Sequence, residues 1–303
     1  MTQHWILTVK DEKIGTKKLD ALSIYRQRMK DKFWGIGEPA KNRRWLKTGD
    51  HVIFYLGGKN GGKFIGASIL DSPYIELSKK EKEKLTHPPF FTATHGVKLG
   101  EIEEWDEPLS IYPLISKLNF IANKTNWGSH LQGSIKEIRS NDYTTIILEH
   151  ESIDILKISS QKEPKLTAPT PRISTTRQVR DYFFQRRVRE NYEDACAVCG
   201  KTRYTKLGHP EVESAHIYPK AKNGDDDLRN GIALCKLHHW AFENGLFSIK
   251  DDYSIIIEGR IKHAADYKEV YRYEGKRITL PKDAQFNPHT IYLSAHRNLH
   301  GFQ

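Results

Sequence analysis

Three cysteines occur in this 303-residue chain, and all three fall within one stretch. Cys196 and Cys199 form a C-x-x-C pair, and Cys235 with His238 forms a C-x-x-H pair. Two close pairs of soft or borderline ligands suit a tetrahedral zinc ion in a structural role, which needs no open coordination position. Three unrelated buried thiols and a redox C-x-x-C are the competing readings, though no βαβ pattern surrounds the motif. The gap between the pairs is longer than in a small zinc finger, which leaves room for a working hairpin.

That gap and its edge hold His216, Asn230 and His239, in that order. Glu213 to Pro219 reads as a short strand, so Glu213 and Ala215 face one way and His216 the other. The following KNGDDD is rich in turn formers. Asn230 to Leu234 reads as a second strand. Leu237 to Asn244 reads as a helix stopped by Gly245. On it His239 and Glu243 stand four residues apart and share a face. His238 is turned by about 100°, free to look towards the cysteines. A neutral imidazole, with its ordinary pKa near ~6.5, can accept a proton at cellular pH.

A strand–loop–strand–helix carrying His, Asn and His resembles the HNH, or ββα-metal, endonuclease family. The likeness is to the branch with AHI.P, NG..LC and H..F[DE].G, met here from Ala215, Asn230 and His239. It extends over roughly residues 177 to 300, through RQVRDYFFQRRVRENYEDACAVCG upstream and ITLPKDAQFNP and LSAHRNLHGF downstream. It implies that His216 is the general base activating water and that His239 ligates a catalytic divalent ion. That ion would polarise the scissile phosphate and stabilise the leaving 3′ oxygen. Asn230 would hold the loop and orient His216. Many members place a further ligand just before the base, where this chain has Ala215. Glu213 is the natural substitute and Glu243 the second candidate, unless both are simply solvated. One histidine with one or two carboxylates suits Mg2+ or Mn2+.

The chain is long enough for two domains with their own cores. Its net charge of +10 and pI of about 9.3 favour a polyanionic partner, although basic charge alone also fits a merely soluble protein. The mean hydropathy is −0.64, and no apolar run approaches a membrane span. MTQHWILTVK does not read as a signal peptide. Cysteines spaced as ligands fit a reducing compartment, so a bacterial cytoplasmic location is expected.

Upstream, residues 4 to 9 alternate as a strand with Trp5, Leu7 and Val9 on one face. Leu19, Leu22, Tyr25 and Met29 sit at helical spacing over residues 17 to 30. Strands are expected at His51 to Leu56 and Lys63 to Leu70, joined by a glycine-rich turn over residues 57 to 62. A helix is expected over residues 142 to 150. The order of W, FWG, LK.GD.V.FY, IGA, WG and DY..I resembles an EVE domain, a PUA-superfamily barrel related to YTH readers. It covers about residues 3 to 157 and implies a small β-barrel with a pocket for a modified base. Such a pocket can take a flipped nucleotide between aromatic rings, each stack contributing about 1–3 kcal/mol. Trp34 and Trp127 are the candidate walls, with Tyr55, Asn126 and Ser129 as edge hydrogen-bonders. Trp5 and Trp45 read as core.

Residues 158 to 175 read as an extended, proline-bearing linker. A helix from about 177 to 192 carries Arg177, Arg180, Arg186 and Arg187, expected to contact DNA phosphates. The expected class is α+β: reader at 1–157, linker at 158–175, HNH domain at 176–303. The resemblances together imply a modification-dependent restriction endonuclease of the EVE–HNH kind, with structural Zn2+ and catalytic Mg2+ or Mn2+. It would act on double-stranded DNA with modified cytosine, hydroxymethylcytosine before methylcytosine, with a homodimer as one way to cut both strands. An RNA-directed or non-specific nuclease, and a non-catalytic binding protein, remain as alternatives. The last would need no divalent ion besides zinc and would be indifferent to His216.

Overall fold

The computed structural model describes residues 2–14, 16–37, 40–58, 61–84, 95–161, 163–164, 166 and 172–302. In chain order its first elements are β1 (His4–Val9), β2 (Glu12–Ile14), β3 (Lys17–Leu19), α1 (Ala21–Asp31), β4 (Phe33–Gly35), β5 (His51–Leu56), β6 (Lys63–Leu70), β7 (Ile75–Glu76), α2 (Lys79–Lys84), β8 (His95–Ser110), β9 (Ile135–Ile138) and α3 (Ser140–Ser159). There follow α4 (Ser174–Asn191), β10 (Glu213–His216), β11 (Gly231–Leu234), α5 (Lys236–Glu243), β12 (Phe247–Ile249), β13 (Ile255–Ile257), α6 (Lys268–Tyr271) and α7 (Thr290–His300). The chain divides into two compact units. One is Met1–His150 with Pro171–Arg177, the other Glu151–Thr170 with Gln178–Gln303.

The first unit is built on a mixed sheet in the order β4-β8-β6-β5-β1-β9, with β7 also on β8. Only β1 and β5 run parallel in it. The sixteen-residue β8 serves three neighbours along its length, β4 and β7 near its start and β6 over the rest. Register shifts at Phe54/Tyr55, Phe64/Gly66 and Ser68/Leu70 bend the ladder. The sheet curls, but its path ends at β4 and β9 among the described strands, so the expected barrel is a half-barrel. The α+β class holds. Trp5, Leu7 and Val9 share one buried face as the alternation required, packed with Val52, Phe54 and α1. The Trp5 indole donates to Asp50 at 2.9 Å.

Three local expectations are corrected. Residues 17 to 19 form β3, and α1 starts at Ala21 because Asp20 caps it, accepting from the Ser23 amide at 2.9 Å. Leu22 therefore faces outward and Ile24 enters the core. The helix expected over 142 to 150 begins at Ser140 and runs to Ser159, so residues 158 and 159 of the expected linker are helical. Residues 174 and 175 are helical too. Linker residues 162, 165 and 167–171, turn residues 59 and 60, and Glu38 lie outside the described residues. Trp45 is 64% exposed, and its neighbour Leu46 is the core residue.

In the second unit the antiparallel β10–β11 hairpin pairs Glu213 with Leu234 and His216 with Gly231. It packs with Phe184 and Val188 of α4, and with Phe242, Phe247, Tyr292 and Leu293. Gly231 is needed for that approach, since a Cβ there would lie 2.3 Å from Val188 Cγ2. Gly245 ends α5 at φ +65, and a Cβ on it would strike the His300 ring. Among the described residues no helix is long and apolar enough to cross a membrane.

Candidate active site

The four zinc-spaced residues meet. Ligand atoms of Cys196, Cys199, Cys235 and His238 lie within 4.8 Å of one another, three of the four residues buried. His238 Nδ1 is 3.1 Å from Cys235 Sγ and 3.5 Å from Cys196 Sγ. Its Nε2 lies 3.1 Å from the Glu269 carbonyl. Donation there leaves the Nδ1 lone pair aimed at the thiols, the tautomer a metal requires. Three sulfurs and one nitrogen converging from two knuckles fit a tetrahedral metal such as zinc.

His216 stands at the end of β10, its ring stacked on Phe184 at 4.1 Å and 9°. Its Nε2 is 3.0 Å from Asp226 Oδ1. Asp226 is buried and also takes Arg180 Nε at 2.7 Å and Lys220 Nζ at 3.0 Å. Burial alone would raise the Asp226 pKa. The His216 hydrogen bond and the Arg180 and Lys220 charges outweigh it and hold the carboxyl well below the usual range. An ionised Asp226 accepts from Nε2–H, which leaves Nδ1 as the free lone pair of the ring.

Asn230 is fully buried and fixes the loop rather than the imidazole. Its Oδ1 accepts from the Tyr218 amide at 2.8 Å, and its Nδ2 donates to the carbonyls of Tyr218 at 3.0 Å and Asp225 at 2.9 Å. Its bonds thus seat the residues flanking His216 and Asp226. Asp226, Phe184 and Lys220 were missed by sequence reasoning. Three consecutive aspartates look alike, but Phe184 had a signal, four residues after Arg180 and four before Val188 on one helical stripe.

His239, on α5, lies between two carboxylates. Its Nδ1 is 2.8 Å from Glu213 Oε2 and its Nε2 3.2 Å from Glu243 Oε1. These carboxylates flank opposite nitrogens of one ring. As arranged, a cation could share His239 with one of them and not with both. Among the described residues the one cluster of three or more converging metal-type ligands is the Cys3His set.

Trp34 is corrected from pocket wall to core. It lies on β4, is fully buried, and stacks on Phe54 at 4.9 Å with Arg28 over its ring. Tyr55, next to Phe54 on β5, points to the opposite face of the sheet, against Phe64. Burial first, then the neighbouring Tyr112, pushes the Tyr55 hydroxyl up to about 12. Trp127 is half-buried and meets the exposed Tyr112 edge-on at 5.4 Å. Asn126 and Ser129 are exposed beside it, with Ser129 Oγ donating to the Asn126 carbonyl at 2.7 Å.

Arg180 is likewise corrected. It is buried and bound to Glu151, Asp154 and Asp226, so it cannot reach a phosphate. Arg177 and Arg186 are exposed and Arg187 is half-buried. The last two share Glu190 at 2.7 and 3.1 Å.

Residues 196–250 match the family model described as HNH endonuclease, HNH_2. A UPF0310 protein of Pyrococcus abyssi (strain GE5 / Orsay) is 31% identical over 122 residues, 37% of this chain and 82% of that protein. The chain belongs to the UPF0310 family. This UPF0310 member also carries an HNH endonuclease domain, a metal-dependent nuclease module. Two solved structures are similar at low identity. Human THYN1 protein in complex with 5-methylcytosine-containing DNA is 16% identical, over 50% of this chain and 98% of that one, with a TM-score of 0.35. The modification-dependent TagI restriction endonuclease is 12% identical, over 97% of this chain and 80% of that one, with a TM-score of 0.30.

Proposed function

We propose that this UPF0310–HNH chain is a modification-dependent DNA endonuclease. Residues 1–157 bind a modified cytosine flipped from the duplex, residues 160–173 act as tether, and residues 176–303 hydrolyse a phosphodiester nearby. The observation that carries the reading is His216 on the HNH hairpin, its Nε2 3.0 Å from the Asp226 carboxylate and its Nδ1 without a hydrogen bond among the described residues. A water oxygen bonds to phosphorus while its proton passes to His216 Nδ1, and the bond to the 3′ oxygen breaks. A divalent ion at His239, with Glu213 or Glu243, would supply charge stabilisation at the phosphate; Mg2+ and Mn2+ fit such ligands.

The reader assignment is supported by Trp127 beside exposed Tyr112, a surface on which a base can stack. We place hydroxymethylcytosine above methylcytosine as substrate. One methyl adds about 0.8 kcal/mol of burial, whereas a site that bonds a hydroxyl discriminates far more strongly against its absence. One such site cuts one strand, so a double-strand break calls for two copies or two visits.

The test is cleavage of one DNA made plain, with 5-methylcytosine and with 5-hydroxymethylcytosine, in Mg2+ or Mn2+. Cutting of modified DNA alone, fastest with hydroxymethylcytosine, is expected. Equal cutting of all three sinks the reader and leaves the nuclease. Cutting of RNA but no DNA overturns the substrate.

A further inference from the structure

The first unit carries a second nucleic-acid candidate that neither the nuclease site nor the base reader uses. Residues 41 to 47 read Lys-Asn-Arg-Arg-Trp-Leu-Lys, four cations in seven residues around one tryptophan. Residues Arg43–Trp45 form a single 3-10 turn entered through Asn42 at φ +66. Trp45, at 64%, is the most exposed of the six tryptophans. Lys41, Arg44 and Lys47 are exposed beside it, and none makes an ion pair among the described residues. The turn therefore sets an open aromatic face directly beside unpaired positive charge, the pairing that nucleic-acid backbones and bases call for.

The turn is held rigidly from below. Leu46 is 1% exposed and anchors it in the core. The Lys47 amide donates to Asp50 Oδ2 at 3.0 Å, the same carboxylate oxygen that takes the Trp5 indole. Arg43 donates to the Ala40 carbonyl at 2.8 Å and lies over the Tyr74 ring at 5.8 Å. The side chains that face out thus stand on a backbone already ordered, so little entropy is lost when they bind.

We infer that the 41–47 turn is a DNA-contacting surface in which Trp45 stacks on a base and Lys41, Arg44 and Lys47 neutralise phosphates. Exposed positive charge matches a phosphate backbone, and an exposed indole matches an unstacked base or a base step. An acidic protein would satisfy the lysines and arginine but gives no use for a bare aromatic face. This inference rests on DNA being the partner proposed above.

The experiment measures equilibrium binding of the full-length His216→Ala protein to a duplex with one central 5-hydroxymethylcytosine, across a salt series. Trp45→Ala is expected to weaken binding about tenfold, and Trp45→Phe to recover most of it. Replacing Lys41, Arg44 and Lys47 together by alanine should flatten the log–log salt slope by roughly 2 to 3. Unchanged affinity and slope would overturn the surface, even if the wild-type protein still cut DNA and so kept the nuclease reading. An equal loss with Trp45→Ala on heparin, which has no bases, would also overturn it. Trp45-dependent DNA binding by a protein that cuts nothing would uphold the surface while refuting the nuclease reading.

Discussion

The His216 ring is held from two directions, by the flat face of Phe184 and by the Asp226 carboxylate. Asp226→Asn keeps the shape and removes the charge. The account expects cleavage to fall about 10–100-fold with DNA affinity kept, as when a group orienting a reactive residue is lost. A rate equal to wild type would remove Asp226 from the mechanism. Its depressed pKa also has a sign: stability from the ionised carboxylate is present above the ordinary carboxylate value and is lost as acid protonates it below that value. His296 gives a second, milder window. It is buried between Ser248 and the Phe242 carbonyl, and burial first, then His300, lowers its pKa to about 3. The unfolded chain takes up a proton below pH ~6.5 and the folded chain does not, so stability should fall by about 1.4 kcal/mol per pH unit from there down to about pH 3. Denaturant unfolding at pH 7.5 and pH 5 measures it, and His296→Gln should flatten the difference. The metal-spaced cysteines and both candidate catalytic histidines could be read from type and spacing. Asp226 could not, because Asp225, Asp226 and Asp227 differ only in where the loop aims them: at Tyr292, at His216 and at Arg229.

Helix α4 shows how an element sorts identical residues. Thr176, Arg180, Phe184 and Val188 recur at four-residue steps and form its buried stripe, while Arg186 lies outside that stripe. A count of arginines suggested that some of them contact phosphates; the period places Arg180 inside. Arg180→Ala leaves Glu151 and Asp226 as buried charges that have lost a cation, and should cost about 3–5 kcal/mol in denaturant unfolding. Arg186→Ala with Arg187→Ala, exposed or half-exposed, should cost well under that, and should instead flatten the salt dependence of DNA binding. Equal destabilisation by the two changes would contradict the division. Strands β5 and β6 fell at their expected bounds, while β10 began where expected but ends at His216, short of Pro219. Trp34 misled because the pairing that makes it strand and core is with β8, some sixty residues away.

For the whole molecule, the α+β class and the metal knuckles were legible, but the order β4-β8-β6-β5-β1-β9 was not. It depends on long-range pairing, including the parallel β1–β5 contact, that no short window contains. The Cys3His set ties the 196–199 turn to the start of α5, so zinc removal should act on folding as well as on activity. A strong chelator, or Cys199→Ser, is expected to lower the melting temperature, and metal analysis should find one zinc per chain. An unchanged melting temperature after zinc loss would contradict the staple. The central claim is that His216 performs the cutting within a DNA-binding chain. It is tested most directly by comparing wild type with His216→Ala on hydroxymethylcytosine DNA in Mg2+ or Mn2+, with binding measured in parallel. The account predicts that cleavage falls at least about 100-fold while affinity is kept. Cleavage undiminished in His216→Ala would contradict it.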